Sequence, residues 1–315
     1  MNILITGGAG FIGSSLADKL LTQGHTIIII DNFNDYYNPQ IKWQNVSANM
    51  GNTRYKLYRL DIENKIELEC VFKENKIDVV IHLAGRAGVR PSILCPEKYV
   101  NCNILGTIHI LELMKHYKVQ KLIFASSSSV YGNSKAKYFS EDIKVSEPIS
   151  HYAATKLSDE LFIYTYTKLY DIKAICLRFF TVYGPRQRPD LAINKFTRFI
   201  LNGKPIPVFG NGSTVRDYTY IDDILSGIEG AILYNKTNYE IINLGGGEPI
   251  SLIKMIDTIE IELGKKAIID WQPMQPGDVN RTICDYSKAS NLLGYYPKIK
   301  FNQGIHKFIK WYLQK

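Results

Sequence analysis

Cysteine is scarce and unpaired: five residues (Cys70, Cys95, Cys102, Cys176, Cys284) lie far apart in 315, and no CxxC occurs. Neither a disulfide framework nor a zinc site is expected, and the five read as small apolar residues of the interior. No apolar run reaches the roughly 18 residues that a membrane-spanning helix needs. The first apolar stretch runs from Asn2 into Gly7 and Gly8 with no basic lead and no signal-like core, so a cytoplasmic protein is expected. Basic residues exceed acidic ones, 38 against 30, but no basic block gathers the net charge of +8. That spread disfavours a nucleic-acid footprint and suits an anionic small molecule. Internal repeats and low-complexity tracts are also missing.

What is present is ordinary globular material, 45% apolar and 22% charged. The length accommodates one large α/β unit with a smaller lobe. The first half alternates apolar strand patterns (Asn2–Thr6, then 26–30, 56–60, 79–83, 122–125 and 174–179) with helical patterns over 11–21, 66–74, 103–117 and 153–170. Such alternation predicts a doubly wound parallel sheet covered on both faces. After Thr181 the pattern shifts to a Gly/Pro/Arg loop over 183–189 and turn-rich segments, with a helix over 192–201 and a strand over 239–244. A nucleotide-binding unit over 1–181, regaining segments near 217–246, and a second lobe over 182–315 are expected.

Gly7-Gly8-Ala9-Gly10-Phe11-Ile12-Gly13 follows the first strand and opens the first helix. Glycines 7, 10 and 13 allow a tight turn, approach of a pyrophosphate and close helix–strand contact, and the helix N-terminus offers free N–H groups. Asp31, with Asn32, ends the second strand. A carboxylate there accepts ribose hydroxyls and repels a 2′-phosphate, favouring NAD over NADP. Asp61 and Ile62 after the third strand could bracket the adenine, and Leu83, Ala84 and Gly85 after the fourth offer a passage of small residues.

Tyr152 and Lys156 stand four residues apart, one helical turn on one face. A phenol is a poor base at neutral pH, and a neighbouring ammonium favours its phenolate. Ser126 to Ser129 form a hydroxyl cluster at the end of a central strand, where open α/β sheets bind ligands. Ser127 could relay a proton or orient a substrate hydroxyl.

In this order, GGAGFIG, DN at 31–32, SSSSVYG, YAATK, RFFTVYGP and RDYTYIDD resemble the extended short-chain dehydrogenase/reductases, the NAD-dependent sugar-nucleotide epimerases and dehydratases of Rossmann fold. The stretches DNFNDYYNP, AGVRPS, RFFTVYGPRQRPD and PGDV are most similar to the UDP-glucuronate 4-epimerases. The resemblance implies Ser127, Tyr152 and Lys156 as catalytic residues. It implies NAD contacts from Gly7, Gly10, Phe11, Ile12, Gly13, Asp31, Asn32, Asp61, Ile62 and Asn101. Arg216 matches a diphosphate ligand, Asp278 a ribose or sugar contact, and Val208 and Phe209 the uracil site. Arg90, within AGVRPS, and Ser128 and Ser129 of the serine loop are further substrate candidates. Thr181 and Arg188 match residues that hold a sugar carboxylate.

Acidic residues that related dehydratases carry are replaced by Ser128 and Ser129, which argues against dehydration and, less firmly, decarboxylation. Gln275 stands where galactose epimerases have an arginine, leaving one phosphate contact open. The implied reaction is transient oxidation at C4, rotation of the 4-keto sugar and re-reduction. A UDP-glucose or UDP-N-acetylglucosamine 4-epimerase, a UDP-glucuronate decarboxylase and a non-catalytic NAD sensor remain alternatives. Helices 103–117 and 153–170 carry apolar residues on more than one face, which predicts a homodimer.

Overall fold

A computed structural model describes residues 1–274, 279 and 281–314. In chain order its strands are β1 (Asn2–Thr6), β2 (Thr26–Asp31), β3 (Tyr55–Arg59), β4 (Val79–His82), β5 (Lys121–Ser127) and β6 (Lys173–Phe179). They continue as β7 (Thr181–Tyr183), β8 (Ile206–Phe209), β9 (Val215–Tyr220), β10 (Tyr239–Leu244), β11 (Pro249–Ser251) and β12 (Ile269–Gln272). Seven form one parallel sheet in the order β10-β6-β5-β4-β1-β2-β3.

The apolar runs reflect burial on both faces. Ile3, Ile5, Ile27 and Ile29 pack to one side with Leu16, Leu20 and Ile224. Leu4, Ile28 and Ile30 pack to the other with Leu68, Leu111 and Ile163. A residue and its neighbour in each strand thus serve opposite layers, and no polar alternation can develop.

The chain runs outward from β1 through β2 to β3, then returns to the other side of β1 through β4, β5 and β6. This reversal opens a crevice at the carboxyl ends of β1 and β4, the usual ligand position in such sheets. Beyond β6 lie a three-stranded sheet (β11-β9-β7) and the pair β12-β8, while β10 comes back to edge the large sheet beside β6. No helix among the described residues is long and apolar enough to cross a membrane.

Two expectations need correction. The helix expected over 103–117 starts as a π-helical segment, Val100–Leu105, before the α-helix Gly106–His116. There the Asn103 side chain binds both the Arg86 N–H (2.7 Å) and the Arg86 carbonyl (3.1 Å), and the Thr107 hydroxyl donates to the Asn103 carbonyl at 2.5 Å. Widened turns of this kind are rare and occur frequently at functional sites. Nor are all the cysteines interior: Cys70 and Cys95 are exposed, whereas Cys102, Cys176 and Cys284 are buried. Cys70 lies on the solvent side of the helix Lys65–Glu74, and Cys95 at the break between two short helices.

Candidate active site

A cavity of about 400 Å³ lies at the crevice. Gly7, Gly10, Phe11, Ile12 and Gly13 form part of its wall. Gly7 has φ +67°, and a Cβ there would sit 2.8 Å from the Ala84 nitrogen. A Cβ on Gly13 would meet the Gly7 carbonyl oxygen at 2.5 Å and the Gly8 Cα at 2.7 Å. Bare backbone is therefore required at both positions, and the helix Phe11–Thr22 begins with its N-terminus at the cavity.

At the end of β2, Asp31 and Asn32 line the same cavity, as do Asp61, Ile62, Leu83, Ala84 and Gly85. Asp31 is buried and heavily engaged. It accepts N–H bonds from Ala9 (3.2 Å) and Phe33 (2.9 Å), and Lys42 Nζ approaches Oδ1 at 3.1 Å. Asn32 donates to Asp61 at 2.7 Å, linking the ends of β2 and β3. Lys42 has no signature in a strand–turn–helix motif, and sequence reasoning passed over it.

The helix His151–Leu169 starts where the Ser150 hydroxyl accepts the Ala153 N–H at 3.1 Å. Tyr152 falls in the first turn and Lys156 one turn later, and both reach the cavity with Ser127, Ser128 and Ser129. Ser127 Oγ accepts the Ser129 N–H at 3.1 Å, which bends the strand end towards the cavity. Tyr99 packs edge-on to Tyr152 at 6.3 Å between centroids and donates to the carbonyls of Ala87 (3.1 Å) and Gly88 (3.0 Å). The Lys156 ammonium stands 4.5 Å from the centre of the Phe124 ring. Beneath it, Arg178 binds Glu160 through two hydrogen bonds of 2.9 and 2.7 Å, both side chains 2% exposed.

Asn101 does not reach the cavity: it is exposed on the π-helical turn. The inward residue is Asn103, buried, donating to Thr155 at 2.9 Å. Asn101, implied by the resemblance, is thus corrected to Asn103 as the asparagine of this turn that faces inward.

On the opposite wall, Thr181 and Arg188 line the cavity. The Arg188 fork is held by Asp190 at 3.0 and 2.7 Å, and its guanidinium stands 5.3 Å from the Tyr36 ring centre. Four other candidates lie outside this cavity. Arg90 stacks over Phe209 at 4.3 Å, at the end of β8. Val208 is fully buried in the core, so its side chain cannot grip a base. Arg216 lies on β9, donating to the Val215 carbonyl at 3.0 Å. Asp278, like Gln275, lies outside the described residues.

A residue missed in the sequence is Asp217, next to Arg216. Its fully buried carboxylate accepts the N–H groups of Gly246 (2.7 Å), Gly247 (2.8 Å) and Cys284 (3.0 Å), clamping two distant segments to β9. Burial nonetheless pushes its carboxyl up to about 6.

A nucleotide-binding sheet with a phenol and a lysine at its switch point defines a dehydrogenase-like class of protein. The chain belongs to the family described as GDP-mannose 4,6 dehydratase, which matches residues 4–308. It is 43% identical to a UDP-glucuronate 4-epimerase of Thermodesulfobacterium geofontis, over 98% of this chain and 95% of that one. Its fold matches the crystal structure of a UDP-glucuronic acid 4-epimerase from Bacillus cereus in complex with UDP-glucuronic acid and NAD. That match has a TM-score of 0.94 and 39% identity, covering 100% of this chain and 99% of the other. A UDP-glucose 4-epimerase from Thermotoga maritima with UDP-glucose matches with a TM-score of 0.91 and 31% identity, covering 100% and 99%.

Proposed function

We propose that this chain is an NAD-dependent epimerase that inverts C4 of a UDP-sugar, converting UDP-glucuronate to UDP-galacturonate. The observation that carries the reading is that Tyr152 and Lys156 open onto the same cavity as the glycine loop and Asp31. The likeness to the two UDP-glucuronate 4-epimerases, over nearly the whole of both chains, supports the choice of substrate.

The residues present fit NAD. Gly7, Gly10 and Gly13 leave backbone space for a pyrophosphate that a single Cβ would obstruct, and Asp31 offers a carboxylate for ribose hydroxyls. When bound, NAD supplies a reversible acceptor for the hydrogen at C4. Tyr152, as phenolate, takes the proton from the sugar O4 and later returns it. Lys156 favours the phenolate by its charge, and Ser127 orients the hydroxyl. Arg90, Phe209, Arg216 and Asp278, but not the buried Val208, are assigned to the UDP end. They anchor the substrate away from the reacting carbon, so that the sugar can turn.

A 4-keto uronic acid loses carbon dioxide when its carboxylate bond aligns with the carbonyl π system. Arg188, with hydroxyls from Thr181, Ser128 and Ser129, holds the carboxylate out of that alignment. In the free protein Asp190 occupies the same guanidinium fork, so the site already pairs Arg188 with a carboxylate. The test is product analysis after incubation with UDP-glucuronate and NAD. An isomer of unchanged mass supports the reading, and a product lacking carbon dioxide identifies a decarboxylase instead.

We further assign the dinucleotide unit to residues 1–181, with segments near 217–246 returning to it, and the UDP-sugar lobe to the rest of 182–315. A cytoplasmic location accords with five free cysteines. A homodimer is supported by exposed Leu161, Phe162, Tyr164 and Leu169 along the helix His151–Leu169. Sedimentation at micromolar concentration tests it.

A further inference from the structure

Asp159 is 0% exposed, and neither of its carboxyl oxygens has a hydrogen-bond partner among the described residues. It does not line the cavity, but Lys156 does, and Lys156 Nζ lies 3.9 Å from Asp159 Oδ2. The carboxyl thus reaches the ammonium without itself opening onto the cavity. Buried acids without donors are rare and costly, and this one lies one helical turn from a proton-handling pair.

We propose that Asp159 is a positioning residue, a counter-charge that sets from the interior how strongly Lys156 supports the Tyr152 phenolate. The inference rests on the reading of Tyr152 as the base. An ionised Asp159 offsets part of the ammonium's field at the phenol, and a protonated one leaves that field whole.

The surroundings leave few other charges to do this. On its own helix Asp159 is followed by Glu160, which Arg178 of β6 neutralises through two hydrogen bonds. Cys176 on β6 is buried, its thiol pushed well up by desolvation. His82 on β4 is buried between Thr6 (2.6 Å) and Thr107 (3.0 Å), and burial pushes it down to about 3, so it is neutral. From the helix Gly106–His116 the uncharged Thr107 hydroxyl faces Asp159 and pulls its carboxyl down, less than desolvation raises it. Desolvation pushes Asp159 itself up to about 7, against the pull of Lys156, so its charge changes near neutral pH.

The experiment compares wild type, Asp159→Asn and Asp159→Ala, each loaded with NAD. The Tyr152 phenolate is titrated as the ultraviolet difference between each protein and the same protein carrying Tyr152→Phe. The acid limb of kcat/KM on UDP-glucuronate is measured alongside. Above about pH 7, where the wild-type carboxyl is ionised, both variants should hold more phenolate, the titration there being displaced by about half a unit, or about threefold. Asn and Ala differ in size but share the lost charge, so agreement between them marks an electrostatic role. An unmoved titration in both variants, with NAD still bound, overturns the proposal. The titration needs no substrate, so it judges Asp159 even where UDP-glucuronate is not turned over. An absent phenolate signal in wild type would instead sink the reading of Tyr152, and the proposal with it.

Discussion

Replacing Gly13 by Ala tests whether the glycine loop is a cofactor cradle rather than a turn that happens to be glycine-rich. The added methyl would stand 2.5 Å from the Gly7 carbonyl oxygen and 2.7 Å from the Gly8 Cα, both backbone atoms that no rotamer change can move. Relief requires the loop to retract from the helix start, which displaces the N–H groups facing the cavity. Overpacking of this kind costs about 1–3 kcal/mol. Taken from NAD binding, that is about a 5- to 150-fold loss in affinity. Isothermal titration of NAD into stripped protein reads the loss, with thermal unfolding as a check on folding. Gly51→Ala is the control, since a Cβ there meets nothing within 4 Å. Its NAD affinity should match wild type, and its stability should change by about 0.5 kcal/mol at most. Wild-type affinity in Gly13→Ala would refute the cradle.

Arg188→Ala should lower kcat/KM for UDP-glucuronate about 10- to 100-fold, the worth of a charge-assisted hydrogen bond, while leaving UDP-glucose binding nearly unchanged. Equal losses on both sugars would contradict its assignment to the carboxylate. Glu160→Ala strands the buried Arg178 guanidinium and should cost about 3–5 kcal/mol in urea unfolding. Stability should also depend on pH in a definite sense. Asp159 and Asp217 are raised by burial to about 7 and about 6. The folded state therefore keeps those protons longer than the unfolded chain, and stability falls as pH rises from about 4 towards 7. Asp159→Asn should flatten that decline, and an unchanged slope would contradict the raised value. His82, lowered to about 3, acts oppositely, removing stability as pH falls below about 6.5.

Much of the dinucleotide half was legible because its signals are local. Strand β1, the glycine turn and the Tyr152/Lys156 spacing each depend on a few consecutive residues, and both faces of the sheet leave continuous apolar runs. Less was legible where contacts join distant segments. β8 pairs with β12, and Arg90 meets Phe209 more than a hundred residues on, with nothing in either stretch naming its partner. Lys42 beside Asp31 depends on how the helix Pro39–Ser47 returns over β2. Asn101, carried over from the resemblance, proves exposed, and the inward asparagine of the π-helical turn is Asn103. Asp159 was in plain view three residues after Lys156, but its burial without donors only appears once the helix is packed.

The account's central claim is that the C4 hydrogen leaves and returns without meeting water. UDP-glucuronate carrying deuterium at C4 should give UDP-galacturonate that keeps the label in ordinary water, followed by NMR and mass spectrometry. Label lost to solvent, or an epimer formed equally well by Tyr152→Phe, would contradict it.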